Sequence, residues 1–466
     1  MPSIYKKPRA AGAEQPHISI GKSGLIKLRI PFYHYRFAWP EACQGVLLVA
    51  VALAAIPMLE QVLEVPFDIA VMMVVFFSML YIIHPTIGDC MFPGWVTPAI
   101  PLLIAHHMQW GNVTDRIHSV IAFQMMVAAM FIVLGVTRFS GKIIKYVPMS
   151  IRTGILLGAA VSAAMSIFNT HMPGREISAV VGMSLTLIAL YSVPFFRAKA
   201  RNNFLQAVGK YGMVPGLFGA LVVGVLVGEM EMPVIEWGVS PLPVAELISG
   251  WTIFGVGFPP LHHFIGGVPL LVAVYIIAFG DFVLCRSLVD ENNAHFRKDE
   301  FIDYNPDRSS VASGLRNLLL SLFAPYVPLA GPLWASGSIA PYERHKLGRR
   351  EMDSIHDGIS SFLVAMGFAG LLLPLVTLLR PALPIGLIIT FAVQAFACGY
   401  IALNMAQTKE ERGCAALVAF AISFHGAAVG LIVGVFLHLV IGVPKPAAIE
   451  AEAVLAAEAA ATMEDS

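Results

Sequence analysis

The sequence predicts an all-α polytopic membrane protein with fourteen transmembrane segments in two inverted seven-span repeats, the third and tenth segments being broken. Three observations carry that expectation. Of 466 residues, 57% are apolar and only 13% charged, whereas a soluble domain carries about 25% charged residues. Twelve apolar runs have roughly the length of membrane helices, and two more are short and cut by proline. The basic residues also sort by loop.

The composition excludes several classes at once. Thirty basic residues balance thirty acidic ones, so no nucleic-acid partner is implied. The 40 glycines and 31 prolines are many for a soluble helical protein but common in membrane helices. Cys43, Cys90, Cys285, Cys398 and Cys414 stand singly with no C-x-x-C, which gives neither a disulfide framework nor a thiolate metal site. Nothing before Glu41 reads as a cleaved leader, so the first span is expected to direct insertion.

A hydrocarbon core about 30 Å thick takes roughly 20 helical residues. The first runs are Glu41–Met58, Phe67–Ile83, Ser119–Val136, Pro148–Ile167, Ile177–Phe196 and Val214–Met230. The second set is Val268–Val289, Val311–Phe323, Gly358–Leu379, Leu383–Leu403, Arg412–Phe424 and Gly426–Val443. Val96–His107 and Leu329–Ile339 reach only about half the core, and they contain Pro98, Pro101 and Pro332. Loop charge decides whether these two cross, because Lys and Arg collect on the cytoplasmic side. With both crossing, 24 basic residues fall inside and three outside; with neither, the split is 16 to 11.

Matching segments of the two halves are offset by 227, 233 and 235 residues, and an odd number of spans per half inverts the second half. The expected organisation is a cytoplasmic segment 1–40 and a first repeat 41–230 (41–136 core, 148–230 gate). An extracytoplasmic linker 231–267 leads to a second repeat 268–443 (268–379 core, 383–443 gate) and a cytoplasmic tail 444–466.

Backbone freed from a helix inside a bilayer must line protein or a watery cavity. Two interrupted segments at corresponding places therefore point to a midplane binding site. Its expected residues are Thr97, Pro98 and Ala99 in one break, and Trp334, Ala335, Ser336 and Gly337 in the other. Asp281, beside Gly280 in the eighth span, is the second pointer. A carboxylate there costs several kcal/mol unless protonated, paired or hydrated. The plainer alternatives are re-entrant loops that complete packing, and an ion pair of Asp281 with Arg152 or Arg316. Arg286 lies about 140° around the helix from Asp281, a poor partner.

The remaining polar groups read as structural. His106–His107 and His262–His263 are adjacent pairs that do not share a helix face, so no metal site is expected. His425 opens the last span. Asp353 and Asp357, with His356, are expected to cap the eleventh. Gly154-x-x-x-Gly158 and Gly426-x-x-x-Gly430-x-x-x-Gly434 are small-residue ridges for close helix packing.

This architecture, with "PGWVTPAIPLLIA", "GLRNLLLSLFAPYVPLAGPLWASGSIA" and "HGAAVGLIVGVFLHLVIG", resembles the nucleobase–ascorbate (uracil–xanthine permease) transporters and their relatives, the sulfate permeases. The resemblance spans Glu41 to Val443. Asp281 stands where the nucleobase branch carries a substrate-contacting glutamate. The second glutamate position of that branch is Trp334 here, and no soluble regulatory domain follows Val443, so the chain reads as a divergent member. The resemblance implies a mobile core of spans 1–4 and 8–11 beside a gate of spans 5–7 and 12–14. It also implies a homodimer through the gate spans and an elevator-like displacement. The expected function is secondary active transport of a small polar or anionic solute across the cytoplasmic membrane, coupled to H+ or Na+. A nucleobase permease and a passive anion channel of the same fold are the alternatives. No bound cofactor is expected, and both termini are expected in the cytoplasm. An enzyme is disfavoured, since there is no H-E-x-x-H or G-x-S-x-G.

Overall fold

Apolar runs become helices almost wherever they are uninterrupted, and polar or proline-rich stretches mark the breaks. The computed structural model describes residues 12–21, 24–140, 147–199, 201–209 and 211–441. The expected tail 444–466 lies outside the described residues, as does the start of segment 1–40.

The described part of that first segment forms an antiparallel hairpin, β1 (Ile18–Ile20) with β2 (Ile26–Leu28). Arg308 donates to the carbonyl oxygens of Leu25 (2.7 Å) and Gly88 (3.1 Å), and Lys27 pairs with Asp303 at 2.6 Å. The described part of the N-terminal segment is therefore a docked cap rather than a loose tail.

Helix α1 (Trp39–Leu53) starts on Pro40, with Glu41 in its first turn, and α2 (Ile56–Leu63) continues the same crossing. Next come α3 (Phe67–Met79) and α4 (Ile83–Ile87), ended by Gly88 at φ 94°. The first broken segment contains β3 (Gly94–Trp95), a 3-10 turn at Thr97–Ala99 and α5 (Ile100–Met108). The first half continues through α6 (Val113–Val136), α7 (Met149–Ser166), α8 (Glu176–Tyr191), α9 (Val193–Lys199), α10 (Asn203–Gly209) and α11 (Val214–Leu226). Between the halves lie α12 (Val244–Trp251) and α13 (Ile253–Val256). The second half contains α14 (Leu261–His295), α15 (Pro306–Phe323), β4 (Ala330–Gly331), α16 (Ala335–Lys346), α17 (Ile355–Ala369), α18 (Leu373–Leu379), α19 (Leu383–Met405) and α20 (Lys409–Ile441).

Several expected boundaries change. The eighth span begins at Leu261 rather than Val268, because Pro260 starts the helix and Pro269 is accommodated within it. The last two expected spans form one helical element, broken where Gly426 adopts φ 81° and ψ 175°. Ser354, rather than Asp353, caps α17, in a box completed by Asp357. Asp353 instead accepts a hydrogen bond from Arg349.

Among the described residues, seven helices are long and apolar enough to span a bilayer, or eight if the pair α8–α9, bent by 64°, counts as one. The chain is thus a multi-pass integral membrane protein. Helices α11 and α17 are shorter. Helix α15 is too polar for such a test because its buried face carries Arg308, Ser309, Ser313, Arg316 and Asn317. Protein rather than lipid surrounds those groups, which is where polar side chains can be partnered.

Two packing groups stand out. Helix α1 packs on α17, α17 on α3, and α6 on α15; elsewhere α7 packs on α20 and α19, and α11 on α8. Gly154 brings α7 to α20 so closely that a Cβ there would lie 2.6 Å from Val418 Cβ. The ridge read from the sequence is thus a real helix contact.

Candidate functional site

The two proline-broken segments meet. Gly94 pairs with Gly331 and Trp95 with Ala330 in an antiparallel register, extended by Val96 N–H donating to the Leu329 carbonyl at 3.0 Å. Asn317 of α15 binds both backbone groups of Ala330: its side-chain amide donates to the carbonyl at 2.8 Å, and its side-chain oxygen accepts from the amide at 3.0 Å. Trp334 N–H donates to the Phe92 carbonyl at 2.6 Å. Non-helical backbone is thereby satisfied inside the protein, as burial in a membrane requires.

Each strand is followed within four residues by a helix start, at Thr97 and at Ala335. Helix N-termini carry unpaired N–H groups and partial positive charge, and so favour anions. Behind β4, the Arg316 guanidinium lies 4.8 Å from the Phe77 ring centroid and 4.5 Å from that of Tyr81, and donates to the Gly331 carbonyl at 3.3 Å. Its other neighbour is the His84 ring at 3.5 Å; His84 in turn contacts Asp89, which accepts from Ser309.

A cavity of about 300 Å³ opens against this junction. Thr97, Trp334 and Asp281 line it with Tyr81, Gly94 and Trp95, while Tyr191, Thr390, Gln394 and Tyr400 form the facing wall. Asp281 is half-buried on the cavity and has no ion-pair partner among the described residues. Neither Arg152 nor Arg316 pairs with it, and Arg286 lies at the surface bound to Asp290 at 2.9 Å. Ala99 is fully buried behind the lining, and Gly337 lies under the Trp334 ring, where a Cβ would come within 2.7 Å. Trp334 also packs edge-on against Phe362, with centroids 5.8 Å apart. The side chains of Pro98, Ala335 and Ser336, and the surroundings of Gly280, lie outside the described residues.

A second cavity, about 910 Å³, is lined by Leu102, His106, Trp110, His262, Leu270 and His425. Leu270 and Asp281 are both on α14, about 16 Å apart along its axis. Between the two depths lies one buried apolar cluster, in which Ala99, Leu103, Val274 and Ile277 meet Ile155, Leu156, Val418 and Ile422. That cluster joins the two packing groups.

Sequence reading missed Tyr81, Asn317, Thr390 and Gln394. Gln394 is a polar amide within an otherwise apolar run, a signal that was available, whereas Asn317 stands among the arginines and serines of α15. Tyr81 carried none.

No protein-family profile and no curated protein sequence matches the chain. Solved structures do. The transmembrane domain of the cyanobacterial bicarbonate transporter BicA aligns over 90% of this chain and all of its own, with TM-score 0.50 and 13% identity. Murine Solute Carrier 26 family member A9, an anion transporter in the inward-facing state, aligns over 94% of this chain and 76% of its own, with TM-score 0.55 and 15% identity. A further structure of SLC26A9 aligns over 86% of this chain and 64% of its own, at 0.53 and 15%. The chain therefore shares the fold of these transporters.

Proposed function

We propose that the protein is a secondary active transporter of a small anion, bound in the cavity where β3 meets β4. One observation carries this reading: two helix starts, set side by side by the Gly94–Gly331 pairing, face a cavity lined by a carboxylate with no ionic partner among the described residues. The helix ends supply positive potential for an anion. Asp281 supplies a group that can take up H+ or bind Na+ as the anion enters, so that the pair crosses with less net charge. That the structural neighbours carry bicarbonate or other anions supports the solute class.

The same reading takes the chain as fourteen crossings in two inverted repeats. The α1–α6 and α14–α17 group is the moving core, and the α7–α11 and α19–α20 group is the gate and dimer surface. The apolar layer between the cavities suits an elevator-like slide, since apolar surfaces carry no fixed hydrogen bonds to break. Both termini are placed in the cytoplasm and the protein in the cytoplasmic membrane, following the loop charges.

Reconstituted proteoliposomes test this. Bicarbonate, sulfate and chloride are offered in turn, with and without an imposed H+ or Na+ gradient. Accumulation of one of them above equilibrium is expected. Flux that never exceeds equilibrium would instead mark a passive channel, and uptake of uracil or xanthine alone would mark a nucleobase permease.

A further inference from the structure

Packed against Trp110 and His262, which line the larger cavity, is a cluster that the transport reading does not use. Asp115 and His118 lie three residues apart on α6, and His263 comes from the first turn of α14. One ligand atom from each falls within 4.8 Å of the others. His263 is 1% exposed, yet neither of its ring nitrogens has a hydrogen-bond partner, and the nearest carboxylate oxygen is Asp115 Oδ1 at 3.5 Å. An unsatisfied buried nitrogen is costly to leave without a partner, so its presence calls for a ligand.

The surroundings already orient the three side chains. His118 Nε2 lies 3.1 Å from the Val256 carbonyl of α13. A carbonyl can only accept, so Nε2 carries the proton and Nδ1 keeps its lone pair. Asp115 Oδ2 accepts from Asn112 at 2.6 Å, leaving Oδ1 toward His263. The Trp110 ring covers His263, with centroids 4.4 Å apart, and shields it from water. Partners of this kind fix the tautomer and aim of metal ligands.

We propose that Asp115, His118 and His263 bind one divalent transition-metal ion of the zinc class, with water in the fourth position. Two imidazoles and one carboxylate suit zinc, whose bonds to N and O are about 2.0–2.2 Å. Tetrahedral ligands are then roughly 3.3 Å apart, so each side chain needs to move by about 1 Å or less. Calcium and magnesium require oxygen ligands throughout and do not fit. The ion would join α6 to α14 beside α13. The far end of α6 packs at Gly135 on Asp307, beside the N-terminal hairpin. Asp115 is therefore about 30 Å from that face, and the site lies behind Trp110 and His262 of the larger cavity.

The test uses the full-length protein in detergent with any affinity tag removed, stripped by a chelator and dialysed against zinc chloride. One zinc per chain is expected by elemental analysis. Cobalt(II) in its place is expected to give the intense visible absorption of a four-coordinate ion, lost on adding zinc. His263→Ala and Asp115→Asn are each expected to weaken binding at least tenfold, while His171→Ala leaves it unchanged. Asp115→Asn keeps the shape of the side chain, and a wild-type elution profile confirms its fold. A zinc-induced rise in melting temperature, present in wild type and absent in both variants, is the independent readout. Wild type without stoichiometric zinc, or folded variants that retain it, would overturn the site.

Discussion

Gly331 lies so close to the backbone of Trp95 that a Cβ added to it would sit 2.9 Å from the Trp95 carbonyl carbon. Only glycine allows the two interrupted segments to pair at this point. Gly331→Val is expected to force β4 from β3 at a cost of about 1–3 kcal/mol, the usual range for overpacking. Thermal unfolding reads the loss of stability. Anion uptake should fall further than the melting temperature suggests, because both helix starts move.

Asp281 is the acidic side chain on the cavity wall. Asp281→Asn keeps its size and removes its charge and titration. Gradient-driven accumulation is expected to disappear, while exchange of labelled for unlabelled anion persists. Counterflow and net uptake, measured in the same vesicles, separate the two.

Arg316 places a fixed positive charge behind β4 without reaching the cavity itself. Even for an ion 10 Å away, one charge in an effective dielectric of about 20 is worth ~1.7 kcal/mol. Arg316→Gln is therefore expected to raise the KM for the anion roughly tenfold or more. Arg316→Lys, which keeps the charge but not the planar stack on Phe77 and Tyr81, should recover part of it. A purely structural role would lower the maximal rate in both variants and leave KM alone.

Asp303 couples the N-terminal hairpin to α15 through Lys27 and Arg308. Burial opposes its ionisation, but the hydrogen bond from Lys27 and the Arg308 charge prevail and hold the carboxyl below its ordinary value of 3.8. A lowered folded-state value means stability that is present above the unfolded value and lost as pH falls through the folded one. Wild type is expected to lose hairpin docking only below about pH 4. Asp303→Asn should start less stable at neutral pH and show a shallower acid loss. Melting temperatures from pH 7 to pH 3 make the comparison.

Much of this is legible in the chain itself. Proline at 98, 101 and 332 marks where the helical runs are interrupted. The glycine ridge on α7 announces a close helix contact, whereas the ridge read from Gly426 is broken there by a non-helical turn. What stays hidden is long-range: Asn317 gripping Ala330 through two hydrogen bonds is a pairing set by how α15 lies against β4, and no local pattern encodes it. The docked hairpin is hidden for the same reason, because its clamp, Arg308, is 280 residues away and reads only as one more basic loop residue. The histidine cluster misleads in the opposite direction. Adjacent His262 and His263 cannot chelate together, but one of them meets Asp115 and His118 across a gap of some 145 residues.

The most direct test of the central claim is the reactivity of a single cysteine at Thr97→Cys, in a background with the five native cysteines replaced. If the paired helix starts hold the solute, a water-soluble thiol reagent should modify position 97, and the transported anion should slow that modification in proportion to its occupancy. A cysteine there that no reagent reaches from either face of the membrane, or whose reaction ignores a saturating transported anion, would contradict the account.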